Sequence, residues 1–418
     1  MKPLLLSNED GGGGAGRAAF KLHRALRAQG VESLLQVRSK TTDSPTVIIT
    51  LPLLRKAIGR VAAELRPHVM RIQQSANPTH RSPAWYSLGI VNELNTSEAD
   101  VLHLNFVTGL LSIEDIGRLT KPLVWRLSDM WAFSGTEHYG DDGPKARWRV
   151  GYTPASRSST DRGPDIDKWA WRRKQRAWQR PIQIVTHSRW LARCVKESTL
   201  MHDWPVTIIP TPLDVNQFQP WPKRVARAVL GLPPEAPLIL FGALSGGVDP
   251  RKGKDLLEAA LPKVHARLPN AEGVIFGQSE PAKPPRLGLP MHWLGHLHDD
   301  ATLALAYSAA DVMVLPSRQD NLPQTGIESQ SCGCPVVTFN VSGLPDVIED
   351  RQTGYLATPF EVDDLAAGIE WVLADPERHE RLSRQARARA ISHWAPAVVV
   401  PQFIDLYKRA IEEHRTRQ

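Results

Sequence analysis

Cysteine is scarce in this chain, with three residues, Cys194, Cys332 and Cys334, among 418. Neither their number nor their spacing describes a disulfide framework or a four-ligand zinc site, which fits a reducing compartment. Long apolar runs are missing too. The opening Met1-Lys2-Pro3-Leu4-Leu5-Leu6-Ser7 is too short for a signal peptide, and no later stretch approaches the length that spans a bilayer. The expectation is a cytoplasmic protein, soluble or resting peripherally on the inner face of the cytoplasmic membrane. No repeat at the short periods of solenoids occurs, and low complexity is confined to the run Gly11 to Gly14. Acidic charge is the minority: 44 Asp and Glu against 51 Lys and Arg give a formal charge of +7, a surface that on average attracts anions.

What is there reads as two cores rather than one, since the length and a 42% hydrophobic share suit two domains. Short apolar runs alternate with helical segments: Leu4-Leu5-Leu6, Leu34-Leu35-Gln36-Val37, Val101-Leu102-His103-Leu104, Leu123-Val124-Trp125 and Ile182-Gln183-Ile184-Val185. A second series runs from Leu238-Ile239-Leu240-Phe241 through Gly273-Val274-Ile275-Phe276 and Val312-Met313-Val314-Leu315 to Val336-Val337-Thr338-Phe339. Such alternation predicts parallel sheets covered by helices on both faces. The proline-dense stretch from Ile208 to Pro222 cannot be helix interior or central strand, and is placed as the linker. The predicted domains are residues 1–212 and 213–393. A last helix over about 394–418, with Val398, Val399, Phe403, Ile404, Leu406, Tyr407 and Ile411 at helical spacing, is expected to pack back onto the first.

The first strand runs into Gly11-Gly12-Gly13-Gly14-Ala15-Gly16 and then a helix. Glycine permits tight turns and close approach to a ligand, and a helix N-terminus offers unpaired N–H groups to an anion. Gly11, Gly13 and Gly16 formally satisfy the dinucleotide fingerprint, but the second strand, Leu34 to Arg38, ends without the acidic residue that would hold the adenosine ribose. Gly13, Gly14 and Gly16 are therefore read as a loop for donor phosphate and acceptor, against the plainer reading of a turn needed only for chain geometry.

In the second domain, Arg251-Lys252 sits between a strand end and a helix start, where α/β sheets bind ligands and where a diphosphate leaving group needs positive charge. Asp320 and Glu328 follow another strand, the first in a loop and the second on the ensuing helix, and carboxylates accept paired sugar hydroxyls. Helix capping by Asp320 and a solvated Glu328 is the competing reading.

The block from Asp320 through Glu328 to Val337, the stretch Val341 to Leu356, the loop Phe241 to Leu257, the linker Ile209 to Phe218, and Leu127-Ser128-Asp129-Met130-Trp131-Ala132-Phe133-Ser134-Gly135-Thr136-Glu137-His138-Tyr139 together resemble glycosyltransferase family 4. The last block is similar to the subgroup acting in colanic-acid-like exopolysaccharides. The resemblance implies an α/β GT-B fold, two Rossmann-like domains facing each other across a deep cleft. It implies a retaining transferase that moves a hexosyl unit from a nucleoside-diphosphate sugar, UDP- or GDP-linked, to a saccharide or polyprenyl-linked saccharide, without metal or other cofactor. By the same resemblance Lys252 neutralises the donor diphosphate with Arg251 nearby, and Glu328 holds the ribose. Asp320, Asn321 and Leu322 contact the transferred sugar, and Thr325, Gly343 and Leu344 lie by the donor. Three positions depart from the family: Asp320 stands for glutamate, Ala243 for an arginine, and Ser128 for the histidine before Asp129. Serine cannot carry histidine's charge or proton. His138 is the candidate to compensate, and Asp129 the candidate to orient hydroxyls.

Leu53, Leu54, Ala57, Ile58, Val61, Ala62 and Leu65 form a stripe opposite Arg55, Lys56, Arg60 and Arg66, which suits a helix on an anionic membrane or one packed on its own domain. The basic stretch Lys145 to Arg180 is interleaved with Trp148, Trp169, Trp171 and Trp178 but lies in no recognised nucleic-acid module, so no nucleic-acid partner is expected. The rival functions are a catalytically degenerate nucleotide-sugar-binding partner of an assembly complex, and a sugar-nucleotide epimerase.

Overall fold

The structure of the protein, a computed structural model, describes residues 1–49, 53–75, 77–242, 249–285 and 287–417, without the side chains of 53–58 and Arg60. Ala243, and the apolar stripe and basic residues before Gly59, thus lie outside what it describes. The chain divides into two compact units, Met1–Pro212 with Val399–Gln418, and Leu213–Val398.

Among the described residues of the first unit, seven parallel strands form one sheet: β1 (Pro3–Glu9), β2 (Leu34–Ser39), β3 (Val47–Ile48), β4 (Val101–Leu104), β5 (Leu123–Leu127), β6 (Gln183–Thr186) and β7 (Val206–Ile208). Their order is β3-β2-β1-β4-β5-β6-β7. Both faces are buried, which is why the central strands read as continuous apolar runs. Successive side chains point to opposite faces. Leu4, Leu6, Leu102, Leu104, Trp125 and Leu127 serve one core. Leu5, Val101, Val124 and Val185 serve the other, with Leu22 and Leu26 of the helix Gly14–Ala28 and Phe403, Leu406 and Tyr407 of the helix Pro396–Thr416.

The second unit repeats the plan with β8 (Leu238–Gly242), β9 (Glu272–Phe276), β10 (Met291–Trp293), β11 (Val312–Leu315), β12 (Val336–Phe339) and β13 (Gly354–Ala357), again all parallel among the described residues, in the order β10-β9-β8-β11-β12-β13. Each sheet reverses its winding once, between β1 and β4 in the first unit and between β8 and β11 in the second. At such a point the connections leave in opposite directions and open a crevice at the carboxyl ends of the strands, the place where open α/β sheets take ligands.

Two readings of the first unit are refined by its packing. In the helix Leu53–Ile72, Ala62 is buried whereas Val61, Leu65 and Ile72 are exposed, so the stripe is divided between packing and solvent. The basic stretch is not merely a solvated face, because Lys174 within it is fully buried. No helix among the described residues is long and apolar enough to cross a membrane.

Candidate functional site

In the second unit the loops after β8, β11 and β12 are locked together at the switch point. Asp249 caps a short turn, Pro250–Lys252, by accepting from the Arg251 N–H at 3.0 Å. Gly253 then adopts φ +68°, and a Cβ there would sit 1.9 Å from the Pro316 carbonyl oxygen, so only glycine lets the two loops come this close. The Arg251 side chain bridges Asp249 Oδ2 (2.8 Å) and the Gln319 carbonyl (2.9 Å), and the Arg318 N–H donates to the Arg251 carbonyl at 2.8 Å. These contacts deliver Lys252 Nζ to Asp320 Oδ2 at 2.5 Å. Burial works against ionisation of Asp320, but Lys252, Arg251 and the Asn321 N–H outweigh it and hold the carboxyl below its usual range.

The third loop closes over the same residues. Gly343 N–H donates to the Asp320 carbonyl (2.9 Å), the Asp320 N–H donates to Ser342 Oγ (3.0 Å), and a Cβ on Gly343 would lie 1.5 Å from the Asn321 carbonyl oxygen. Asn321, Leu322 and Leu344 are buried beneath this crossing. The helix Gln324–Ser331 begins here, carrying Thr325 in its first turn and Glu328 one turn on. Glu328 is buried and accepts from the Tyr307 hydroxyl at 2.9 Å. Lys252, Asp320, Asn321 and Gly343 are thus brought together directly, and Glu328 stands on the helix that leaves the same loop. Tyr307 was not foreseen; it is one tyrosine on an alanine-rich helix, and no local pattern marks it.

In the first unit, the switch-point loop carries Gly13, Gly14 and Gly16. A Cβ at Gly16 would meet the Glu9 carbonyl oxygen at 2.9 Å, and one at Gly13 the Glu9 carboxylate at 3.0 Å. The loop's glycines therefore accommodate the end of β1 itself, with a carboxylate already beside the helix N-terminus, a place favourable to negative charge. Asp10 is buried and accepts from the N–H and hydroxyl groups of both Thr41 and Thr42, tying the loop to the end of β2.

Beyond β5 lies Asp129. Its Oδ1 accepts from the Trp131 N–H (2.9 Å) and its Oδ2 from His138 Nδ1–H (2.7 Å), while His138 Nε2 is 2.9 Å from Ser82 Oγ. Burial opposes ionisation of Asp129, but His138 and the Trp131 N–H more than offset it, so its carboxyl titrates below the usual range. His80 packs on His138 with centroids 4.7 Å apart, and burial together with its neighbour pushes His80 down to about 4. With both ring nitrogens engaged, His138 orients Asp129. Asp129, Ser128 and His138 line a cavity of about 20 Å³, room for a water-sized group, with Asn105, Thr108 and Arg126.

Lys174 holds this loop from behind. Its ammonium donates to the carbonyls of Trp131, Ser134 (3.1 Å) and Gly135 (2.7 Å) and lies 3.9 Å from the Trp131 ring centroid. Beside it Asp167 accepts from Arg81, Thr136 and Gln73, and the Tyr152 hydroxyl donates to Glu137 at 3.3 Å. Burial, then the Asp167 carboxylate, pushes Glu137 up to about 7. Sequence reasoning missed Lys174 because it lies among Lys168, Arg172, Arg173 and Arg176, from which nothing local distinguishes it. Among the described residues no group of three or more His, Cys, Asp or Glu is placed to hold a metal ion.

Two Rossmann-like parallel-sheet units, each with ligand-type loops at its switch point, define the GT-B fold. Solved structures share it over nearly the whole chain: sucrose-phosphate synthase of Thermosynechococcus elongatus (TM-score 0.67, 19% identity, 99% of this chain and 100% of that one) and HepE of Anabaena, solved with UDP and glucose (0.64, 17%, 98% and 100%). Residues 223–389 match the family model described as Glycosyl transferases group 1. Curated relatives include the D-inositol 3-phosphate glycosyltransferases of Segniliparus rotundus, 32% identical over 195 residues (44% of this chain, 43% of the relative), and of Mycolicibacterium smegmatis, 30% identical over 224 residues (51% and 49%). The chain spans about half the length of the curated relatives it matches.

Gly343→Ala forces the Asn321 carbonyl away and is expected to destabilise the second unit by about 1–3 kcal/mol, the usual cost of overpacking, read as a lower urea midpoint. For Glu137 the folded pKa is raised, so its contribution to stability is complete below about pH 4, where the unfolded carboxyl is also protonated, and is lost as pH climbs through about 7. Urea midpoints between pH 4 and 8 are expected to fall less for Glu137→Gln than for the wild type.

Proposed function

We propose that the chain is a retaining, family 4 glycosyltransferase that moves a hexosyl unit from a nucleoside-diphosphate sugar to a saccharide or polyprenyl-linked saccharide acceptor, in the assembly of a surface polysaccharide. The observation that carries this reading is the Lys252–Asp320 pair across the β8/β11 switch point, with Glu328 on the helix that leaves it. A diphosphate arriving there competes with Asp320 for the ammonium. The carboxylate it releases is then available to accept hydroxyls of the transferred sugar, while Glu328 takes the ribose and Arg251 and Lys252 offset charge on the departing diphosphate as the glycosidic bond breaks. The leaving oxygen accepts the acceptor's proton, so no protein nucleophile and no metal is needed. Asp129, oriented by His138, positions an acceptor hydroxyl. The sucrose-phosphate synthase and HepE likenesses support the fold for this chemistry, and HepE's complex with UDP makes a UDP-linked donor the first to assay.

A second acceptor class is favoured by the curated relatives, which are named for D-inositol 3-phosphate. The exposed Val61, Leu65 and Ile72 support a peripheral contact with the membrane that would hold a lipid-linked acceptor. A degenerate nucleotide-sugar-binding partner would bind the donor without turnover, and an epimerase would turn it over without acceptor.

The test is donor turnover against a panel of UDP- and GDP-sugars. Lys252→Ala is expected to lower kcat by about 100- to 1,000-fold, the scale of removing one preorganised charge-stabilising group, with circular dichroism unchanged. Near wild-type transfer by that variant removes the diphosphate role, and donor binding without any turnover by the wild type turns the reading to the degenerate partner.

A further inference from the structure

Glu328 reaches the second unit's site from the helix Gln324–Ser331, and its carboxylate is held by a side chain of another helix, Asp300–Ala309. The Tyr307 hydroxyl donates to Glu328 Oε2 at 2.9 Å. Both residues are buried, Tyr307 wholly so. The last torsion of a glutamate is broad rather than staggered, so the plane of its carboxylate is set by what donates to it. Tyr307 is suited to set that plane because its own ring is fixed. The ring meets Phe276, the last residue of β9, edge to face with centroids 5.8 Å apart, and Phe218 with centroids 6.4 Å apart. A Cβ on Gly242 would lie 2.8 Å from the Phe276 ring, so the glycine that ends β8 lets that ring lie where it supports Tyr307. Phe218 is tied to the helix of Glu328. Its carbonyl accepts from Ser331 Oγ and from the Arg387 guanidinium at 2.8 Å, and Arg387 also donates to the Ser331 carbonyl at 2.9 Å. Donor and acceptor of the Tyr307–Glu328 bond are therefore held in one frame.

We propose that Tyr307 is a positioning residue for nucleotide binding: its hydroxyl fixes the Glu328 carboxylate in the orientation that takes the 2′ and 3′ hydroxyls of a ribose, and so makes the site prefer ribonucleotides. The inference rests on the reading of Glu328 as the ribose ligand. A carboxylate offers about four lone-pair sites. The phenol takes one of them and leaves the remainder of that oxygen, and the other oxygen, facing the same plane. Because the carboxylate is oriented before the nucleotide arrives, less ordering is left for binding itself. Tyr307 acts only through Glu328, so its effect is confined to ligands that carry the ribose hydroxyls.

Calorimetric titration of the full chain with UDP and with 2′,3′-dideoxy-UDP tests this in wild type, Tyr307→Phe and Glu328→Gln. Wild-type protein is expected to bind UDP at least about tenfold more tightly than the dideoxy nucleotide, the scale of a hydrogen bond to a charged group. Tyr307→Phe removes one oxygen and keeps the ring. It is expected to weaken UDP by about tenfold while changing the dideoxy nucleotide by less than about threefold, so that most of the preference is lost, as it is in Glu328→Gln. A merely structural role for the phenol would weaken both nucleotides alike, and that result overturns the proposal. So does a Tyr307→Phe variant that keeps the full preference while Glu328→Gln loses it, which leaves the ribose reading standing. If the wild type shows no preference, or Glu328→Gln retains it, the ribose reading falls and this proposal with it. Should Tyr307→Phe fail to fold, a crystal structure of the wild type with UDP decides. A ribose hydroxyl on Glu328 with the Tyr307 hydroxyl still donating to that carboxylate supports the role, and a ribose bound there with the Tyr307 contact broken overturns it.

Discussion

The second unit's candidate site depends on two backbones approaching more closely than any side chain would allow. Gly253 meets the Pro316 carbonyl and Gly343 meets the Asn321 carbonyl, and between these two crossings Lys252 is set against Asp320. Remove either contact and the loops after β8, β11 and β12 separate, taking the ammonium away from the carboxylate and from the helix that carries Glu328. The parallel sheet makes this meeting possible because its winding reverses between β8 and β11, so that connections diverge and leave the strand ends open.

The first unit solves the same problem by burying charge rather than by backbone contact. Lys174, Asp167 and Arg81 surround the segment from Trp131 to His138, which itself contributes Glu137, and the lysine donates to three of its carbonyls at once. That segment in turn fixes Asp129 through the Trp131 N–H and the His138 ring. Buried networks of this sort are costly unless every member is satisfied. Among the described residues the buried side-chain atoms of this network all have partners except Arg81 Nε, whereas none of the three guanidinium nitrogens of Arg126 on β5 has one.

The central strands were legible as apolar runs because both their faces are covered. The strands that escaped notice, β3, β7, β10 and β13, are the four sheet edges, two to four residues long and mostly half-buried, where the apolar signal fades and, for β7, adjoining prolines read as linker. Among candidate site residues, Lys252 and Asp320 stand beside strand ends that the pattern located. Tyr307 acts through a partner 21 residues away in the chain and Lys174 through partners at least 39 away, which no local spacing encodes. Arg126 ends the apolar run Leu123-Val124-Trp125 inside β5 and was passed over for that reason, although a charged residue inside a buried strand is itself a signal.

The central claim, that the β8/β11 switch point grips a nucleoside diphosphate, is tested most directly by a crystal structure of the protein with UDP. The account predicts the diphosphate within hydrogen-bond distance of Lys252 Nζ, the Lys252–Asp320 contact opened, and a ribose hydroxyl on Glu328. UDP bound away from these residues, with that contact intact, would contradict it.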